Sequence, residues 1–187
     1  MPFARSNKVH DPASLYDYAV QALGRRMRTV AELKRLLRQK NVEGDKDAAI
    51  EAVIRKLKEQ RYLDDSRYAS MYATIRKEGA KHGPQRIITD LKLKGVHKDV
   101  IAKTVDDTYD GVNEEELARA FIARKRLKQP TKSVGRDAAS RKQSQRETAK
   151  VFRALLRAGF KSATIIKVLK KWDVEDELLT ALDEESQ

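Results

Sequence analysis

A helix ending written three times limits what this 187-residue chain can become. It reads Leu37…Asn41-Val42, then Leu91…Gly95-Val96, then Leu155…Gly159-Phe160. Each time, a residue that tolerates the left-handed conformation stands just past the helix, and an apolar residue follows it. A leucine lies five positions before that apolar residue, so the two can pack against each other in a Schellman closure. Nine positions before Val42, Val96 and Phe160 stand Leu33, Ile87 and Val151. Such self-similarity marks internal repeats.

The flanking elements repeat as well. Tyr18-Ala19, Tyr68-Ala69 and Leu117-Ala118 open comparable stripes, continued by Ala22, Tyr72 and Phe121. Ile50, Val53, Ile54 and Leu57 correspond to Ile101, Val105 and Thr108, and to Ile165, Val168, Leu169 and Trp172. The expectation is three three-helix repeats, Ser14–Leu63, Asp64–Gly111 and Val112–Trp172. Helix starts are legible at Thr29 with Glu32, at Asn113 with Glu116, at Asp64-Asp65 and at Gly83-Pro84. In the middle repeat Tyr68, Met71, Tyr72 and Ile75 form the expected apolar stripe, and Gly79 is expected to end that helix. No segment alternates as a strand does. The predicted class is all-α, an elongated tandem array of helix-turn-helix-like repeats, since a unit of this size buries little core alone.

The third copy holds an insertion near 129–144, rich in Pro, Gly, Ser and bases, which reads as a mobile loop. The last stretch, Asp173–Gln187, carries seven acids and no base. It reads as a frayed end, or as a strap folding back on the basic insertion.

The residues Arg61-Tyr62-Leu63-Asp64-Asp65-Ser66-Arg67-Tyr68-Ala69, then Gly83-Pro84-Gln85-Arg86-Ile87, then Leu91 with Lys94-Gly95-Val96 carry a resemblance. In order and spacing they resemble the RecX family of bacterial recombination regulators, over about Ser14 to Trp172. The resemblance implies tandem three-helix units that lodge in the helical groove of RecA–DNA filaments. It also implies inhibition of recombinase ATPase, filament extension and strand exchange, with no catalysis of its own. The insertion departs from the family pattern.

Charge agrees with a polyanionic partner: forty Lys and Arg oppose twenty-eight Asp and Glu, a formal net charge of +12. The bases are segregated. Residues 24–40 carry seven against Glu32 alone, and residues 124–153 carry eleven against Asp137 and Glu147. On the second helix of each copy the outward bases are expected to be Lys34, Arg35, Arg38 and Lys40; Arg86, Lys92 and Lys94; and Lys150, Arg153 and Arg157. Arg124, Lys125, Arg126 and Lys128 add to the third. These are the candidate contacts to DNA phosphates, non-specific in sequence, or to the recombinase filament.

Catalytic signatures are absent from the sequence. Gly79-Ala80-Lys81-His82-Gly83 lacks the spacing and the Lys-Ser/Thr end of a phosphate loop. His10, His82 and His97 are scattered without metal spacing, and no cysteine is present. Asp64-Asp65 reads as a helix cap rather than a metal pair. Tyr68, Tyr72, Phe121, Phe152, Phe160 and Trp172 read as core, leaving Tyr16 and Tyr62 as candidates for base stacking. The chain is expected to act as a cytoplasmic monomer without cofactor, metal or membrane contact. The rival expectation is an independent DNA-binding or architectural protein whose helix pairs read DNA directly.

Overall fold

The computed structural model describes residues 9–130 and 138–185. Among them ten helices follow one another: α1 (Pro12–Arg25), α2 (Val30–Leu37), α3 (Lys46–Glu59), α4 (Asp65–Ala80), α5 (Pro84–Leu93), α6 (Lys98–Tyr109), α7 (Glu114–Lys125), α8 (Ala138–Arg157), α9 (Ser162–Lys170) and α10 (Asp176–Glu184). One parallel pair of two-residue strands, β1 (Val9–His10) and β2 (Asn41–Val42), is added to this all-α framework.

The chain divides into two compact units, Met1–Met71 with Leu91–Thr104, and Tyr72–Asp90 with Val105–Gln187. In the first, Leu15 and Ala19 of α1, Leu33 and Leu37 of α2, and Ile50, Val53, Ile54 and Leu57 of α3 form one buried cluster. In the second, Phe121 and Ile122 of α7, Val151, Phe152 and Leu155 of α8, and Ile165, Val168 and Leu169 of α9 form another, joined by Leu179 and Leu182 of α10. The apolar periodicity of these helices lands on the residues that are buried, as amphipathic packing requires.

Two of the three matching helix endings are Schellman closures. Gly95 (φ +75°) and Gly159 (φ +91°) are left-handed. The Val96 N–H reaches the Leu91 carbonyl at 3.1 Å and the Phe160 N–H reaches that of Leu155 at 3.2 Å. Asn41 is not left-handed. It enters β2 opposite Val9, and the Glu43 N–H donates to the His10 carbonyl at 3.0 Å. A strand partner needs an extended backbone, and that requirement overrides the left-handed ending.

Each closing glycine also makes a joint. In the first unit Gly95 lies on the opening turn of α2, where an added Cβ would come within 2.5 Å of the Ala31 Cβ. Beside it the buried Thr29 hydroxyl donates to the Lys94 carbonyl at 2.6 Å. In the second unit Gly159 lies on the opening turn of α5, where an added Cβ would come within 2.1 Å of the Arg86 nitrogen. There the Gly83 and Gln85 N–H groups donate to the Ala158 and Gly159 carbonyls at 2.9 and 3.1 Å. In the second unit unused donors at a helix start thus meet unused acceptors at another helix end, and in both joints opposite dipole ends are in contact.

Four further expectations are corrected. Helix α4 runs through Gly79 to Ala80, the glycine costing less in a last turn than mid-helix. Its buried stripe is Tyr68, Ala69 and Ala73, while Met71 and Ile75 are exposed. Helix α8 starts at Ala138, so the second half of the expected loop is helical; residues 131–137, with Lys132 and Arg136, lie outside the described residues. As far as Glu185 the acidic end is not frayed: α10 buries Leu179 and Leu182, Asp176 pairs with Lys170 at 3.0 Å and Glu185 with Arg153 at 3.3 Å.

Candidate polyanion interface

The two aspartates that open α4 do different work. Asp64 Oδ1 accepts from the N–H groups of Ser66 (2.8 Å) and Arg67 (3.1 Å), the expected cap. Asp65 Oδ1 instead accepts from the Val30 N–H at 2.8 Å, capping α2. The α2 start is further closed by a capping box between Thr29 and Glu32. Motif residues therefore hold the basic helix α2 in place.

Two of the bases on and just after α2, Lys34 and Arg38, are paired with acids, while among the described residues Arg35 and Lys40 meet only carbonyls and a ring. Lys34 pairs with Glu51, whose carboxyl is held below its ordinary range by that hydrogen bond. Arg38 Nε lies 3.6 Å from Asp47 Oδ1, and Lys40 Nζ sits 4.1 Å from the Tyr18 ring centre. Arg35 reaches the Leu93 carbonyl at 3.5 Å. Lys94 is not outward: its ammonium lies 3.0 Å from Glu32 Oε1, and hydrogen bonding to Tyr68 and Glu32 raises its pKa. Lys92 is exposed.

The second unit differs. Arg86 at the start of α5, Lys125 at the end of α7 and Arg157 at the end of α8 line one open groove of about 330 Å³. Its floor is His82, Phe121, Leu127, Ala154 and Ala158. Arg86 is oriented by Asp90 at 3.0 Å, and the buried Asp90 also accepts from the Tyr72 hydroxyl at 2.7 Å. Arg76, which the sequence reading did not nominate, donates to that hydroxyl at 3.1 Å. Lys125 and Arg157 have no carboxylate partner among the described residues. Arg124, Arg126, Lys128 and Lys150 are exposed nearby in sequence, and Arg153 is exposed and paired with Glu185. Three cations from three helices thus converge, two of them uncompensated, which favours anions carrying several acceptor oxygens.

His82 is held by its backbone, whose carbonyl accepts from the Tyr109 hydroxyl at 2.8 Å. Its ring lies 6.2 Å from that of Phe121, and its Nδ1 is buried without a hydrogen-bond partner. Burial first, then Arg76 and Arg86, push its pKa below the ordinary value. Among the described residues no group of three or more His, Asp or Glu is arranged to hold a metal ion, and no helix is long and apolar enough to cross a membrane.

Comparison with known proteins agrees with the motif order. The first three-helix domain of RecX matches residues 16–57 and the second matches residues 64–105. The Regulatory protein RecX of Myxococcus xanthus is 33% identical over 175 residues, covering 88% of this chain and 88% of that protein. Those of Geobacillus kaustophilus and Bacillus velezensis are each 33% identical, over 82% and 66% of this chain. This chain spans about half the length of these last two, 52% and 47%. The fold is similar to a crystal structure of RecX from Lactobacillus salivarius, with a TM-score of 0.61, 22% identity, and coverage of 87% of this chain and 96% of that one. A second crystal structure, of regulatory protein RecX, has a TM-score of 0.62 at 24% identity, covering 86% of this chain and 71% of that one. With its motifs, its helical fold and a relative matched over nearly the full length of both chains, this protein belongs to the RecX family of regulatory proteins.

Proposed function

We propose that the chain is a non-enzymatic regulator of the RecA recombinase, a cytoplasmic monomer that binds RecA–DNA filaments in their helical groove. Bound there, it lowers recombinase ATP hydrolysis, filament extension and strand exchange by occupying space and contacts that incoming DNA and new protomers need. Three repeats, 14–63, 64–111 and 112–172, provide successive contacts along the filament.

The observation that carries the polyanion half of this reading is the groove of Arg86, Lys125 and Arg157, where two of three cations have no carboxylate partner among the described residues. Compensated bases such as Lys34 and Lys94 have less to gain from a phosphate, because binding must first break an ion pair. Family membership supplies the recombinase half.

Purified protein added to preformed RecA filaments on single-stranded DNA tests the reading. ATP hydrolysis is expected to fall at amounts well below one molecule per recombinase protomer. Unchanged hydrolysis and unchanged strand exchange, with DNA binding that ignores the recombinase, would replace it by an independent DNA-binding protein.

A further inference from the structure

A second place where bases converge lies in the first unit, on residues that the groove reading does not use. Helix α3 ends in the same closure as α5 and α8, but with an arginine in the glycine position. Arg61 has φ +58°, its N–H donates to the Lys58 carbonyl at 3.0 Å, and the Tyr62 N–H donates to that of Leu57 at 2.9 Å. In the α5 and α8 closures the residue after the left-handed one packs back on its helix: Val96 is 6% and Phe160 2% exposed. Tyr62 is 61% exposed, and Leu63 takes the buried place instead, at 3%.

An outward tyrosine alone means little, since single exposed apolar residues are ordinary. Its surroundings change that. Tyr62 shares a small notch with Leu23, Met27, Arg28, Arg61, Asp64 and Arg67. Met27 is 41% exposed beside it. None of Arg28, Arg61 and Arg67 has a carboxylate partner among the described residues, and the one acid present, Asp64, has Oδ1 engaged in capping α4. Arg28 Nε is steadied by the Ala22 carbonyl at 3.4 Å. The notch is only about 60 Å³, too small to enclose a base, so an aromatic ligand would lie on the ring. Tyr16, the other stacking candidate, is half-buried, donates its hydroxyl to Gln60 and has its ring face covered by Lys56.

We propose that Tyr62, with Arg28, Arg61 and Arg67, is a stacking platform for unpaired nucleobases of single-stranded nucleic acid. The ring takes a base face and the guanidinium groups take the flanking phosphates. Duplex DNA, with its bases stacked inside, can use only the charges. The platform requires no recombinase, so it stands or falls separately from the reading of the previous section.

The test is equilibrium anisotropy of labelled oligothymidylate, and of a duplex of equal length, with the full chain. Tyr62→Ala should weaken oligothymidylate binding about tenfold and leave the duplex within about twofold, while Tyr62→Phe, which keeps a stacking face, stays near wild type. Arg28→Gln with Arg67→Gln should lower the slope of log affinity against log salt on the single strand by about 1.4. Circular dichroism reports whether each variant remains helical. Tyr62→Ala binding oligothymidylate like wild type, or losing both DNAs equally, would overturn the platform. So would a Tyr62→Ala variant with intact DNA affinity but lost filament binding, which would assign the patch to protein contact.

Discussion

Asp65, the second acid of the most recognisable motif, leaves the start of its own helix to Asp64: its Oδ1 accepts the Val30 N–H at 2.8 Å and so fastens α4 to α2. Removing the acceptor in Asp65→Ala should cost about 1 kcal/mol of unfolding free energy, the usual worth of a cap. Asp65→Asn retains an acceptor and should cost less. Burial raises the Asp65 pKa above 3.8 against the lowering effect of Val30, so the native state holds this proton more tightly than the unfolded chain. Its contribution is therefore full below pH 3.8 and is lost as pH rises through the raised value. Denaturant titrations at several pH values should show a smaller decline over that window in Asp65→Asn.

The joints formed by Gly95 and Gly159 should tolerate no side chain. Alanine at either combines a left-handed backbone with a contact of 2.5 Å or 2.1 Å, and each variant should lose more than about 2 kcal/mol. Gly24→Ala, in the last turn of α1 with nothing within 4 Å, is the control and should be neutral or stabilising by up to about 1 kcal/mol. Thermal unfolding of the three variants separates a joint from a generic glycine effect.

Bases with internal partners and bases without them should behave differently toward DNA. Lys125→Gln with Arg157→Gln should lower the salt slope of duplex binding by about two. Lys34→Gln with Arg38→Gln, whose wild-type partners are Glu51 and Asp47, should lower it by less than one if those pairs persist in the complex. Equal slopes for the two double variants would remove the groove's special standing.

His82 should make the protein less stable in mild acid. Its pKa is depressed, so the unfolded chain binds the proton more readily than the native one. The stability it contributes is full above 6.5 and is lost as pH falls below that value. Melting temperatures measured downward from neutral pH should fall less steeply in His82→Gln than in wild type.

Helix α10 should be part of the folded second unit. Leu179→Ala removes a side chain only 1% exposed and should cost about 2–4 kcal/mol. Loss of α10 helicity with the rest of the protein unperturbed would return the acidic segment to the status of a loose tail.

Local patterns in the chain were sufficient to specify helices, most caps and two of three closures, because these depend on neighbours within one or two turns. Thr29 with Glu32, Gly95 and Gly159 act as their spacing implies, whereas Asn113 caps α7 by accepting from the Glu115 and Glu116 N–H groups without the returning Glu116 bond of a capping box. The basic stretches were equally plain, being a matter of composition. Contacts between distant residues were not legible. Asn41 could not be known to pair with Val9, nor Asp65 with Val30, nor could Met71 and Ile75 be known to stay in solvent. Which arginines and lysines are already neutralised was hidden for the same reason: Lys34 meets Glu51 and Lys94 meets Glu32 only after folding. Residue order alone made this a helical, basic RecX-type chain, because periodicity, capping and charge are local sums. The packed arrangement decided which charges are left over and which aromatic ring stays outside, because electrostatic compensation and burial depend on distances that only the folded chain defines.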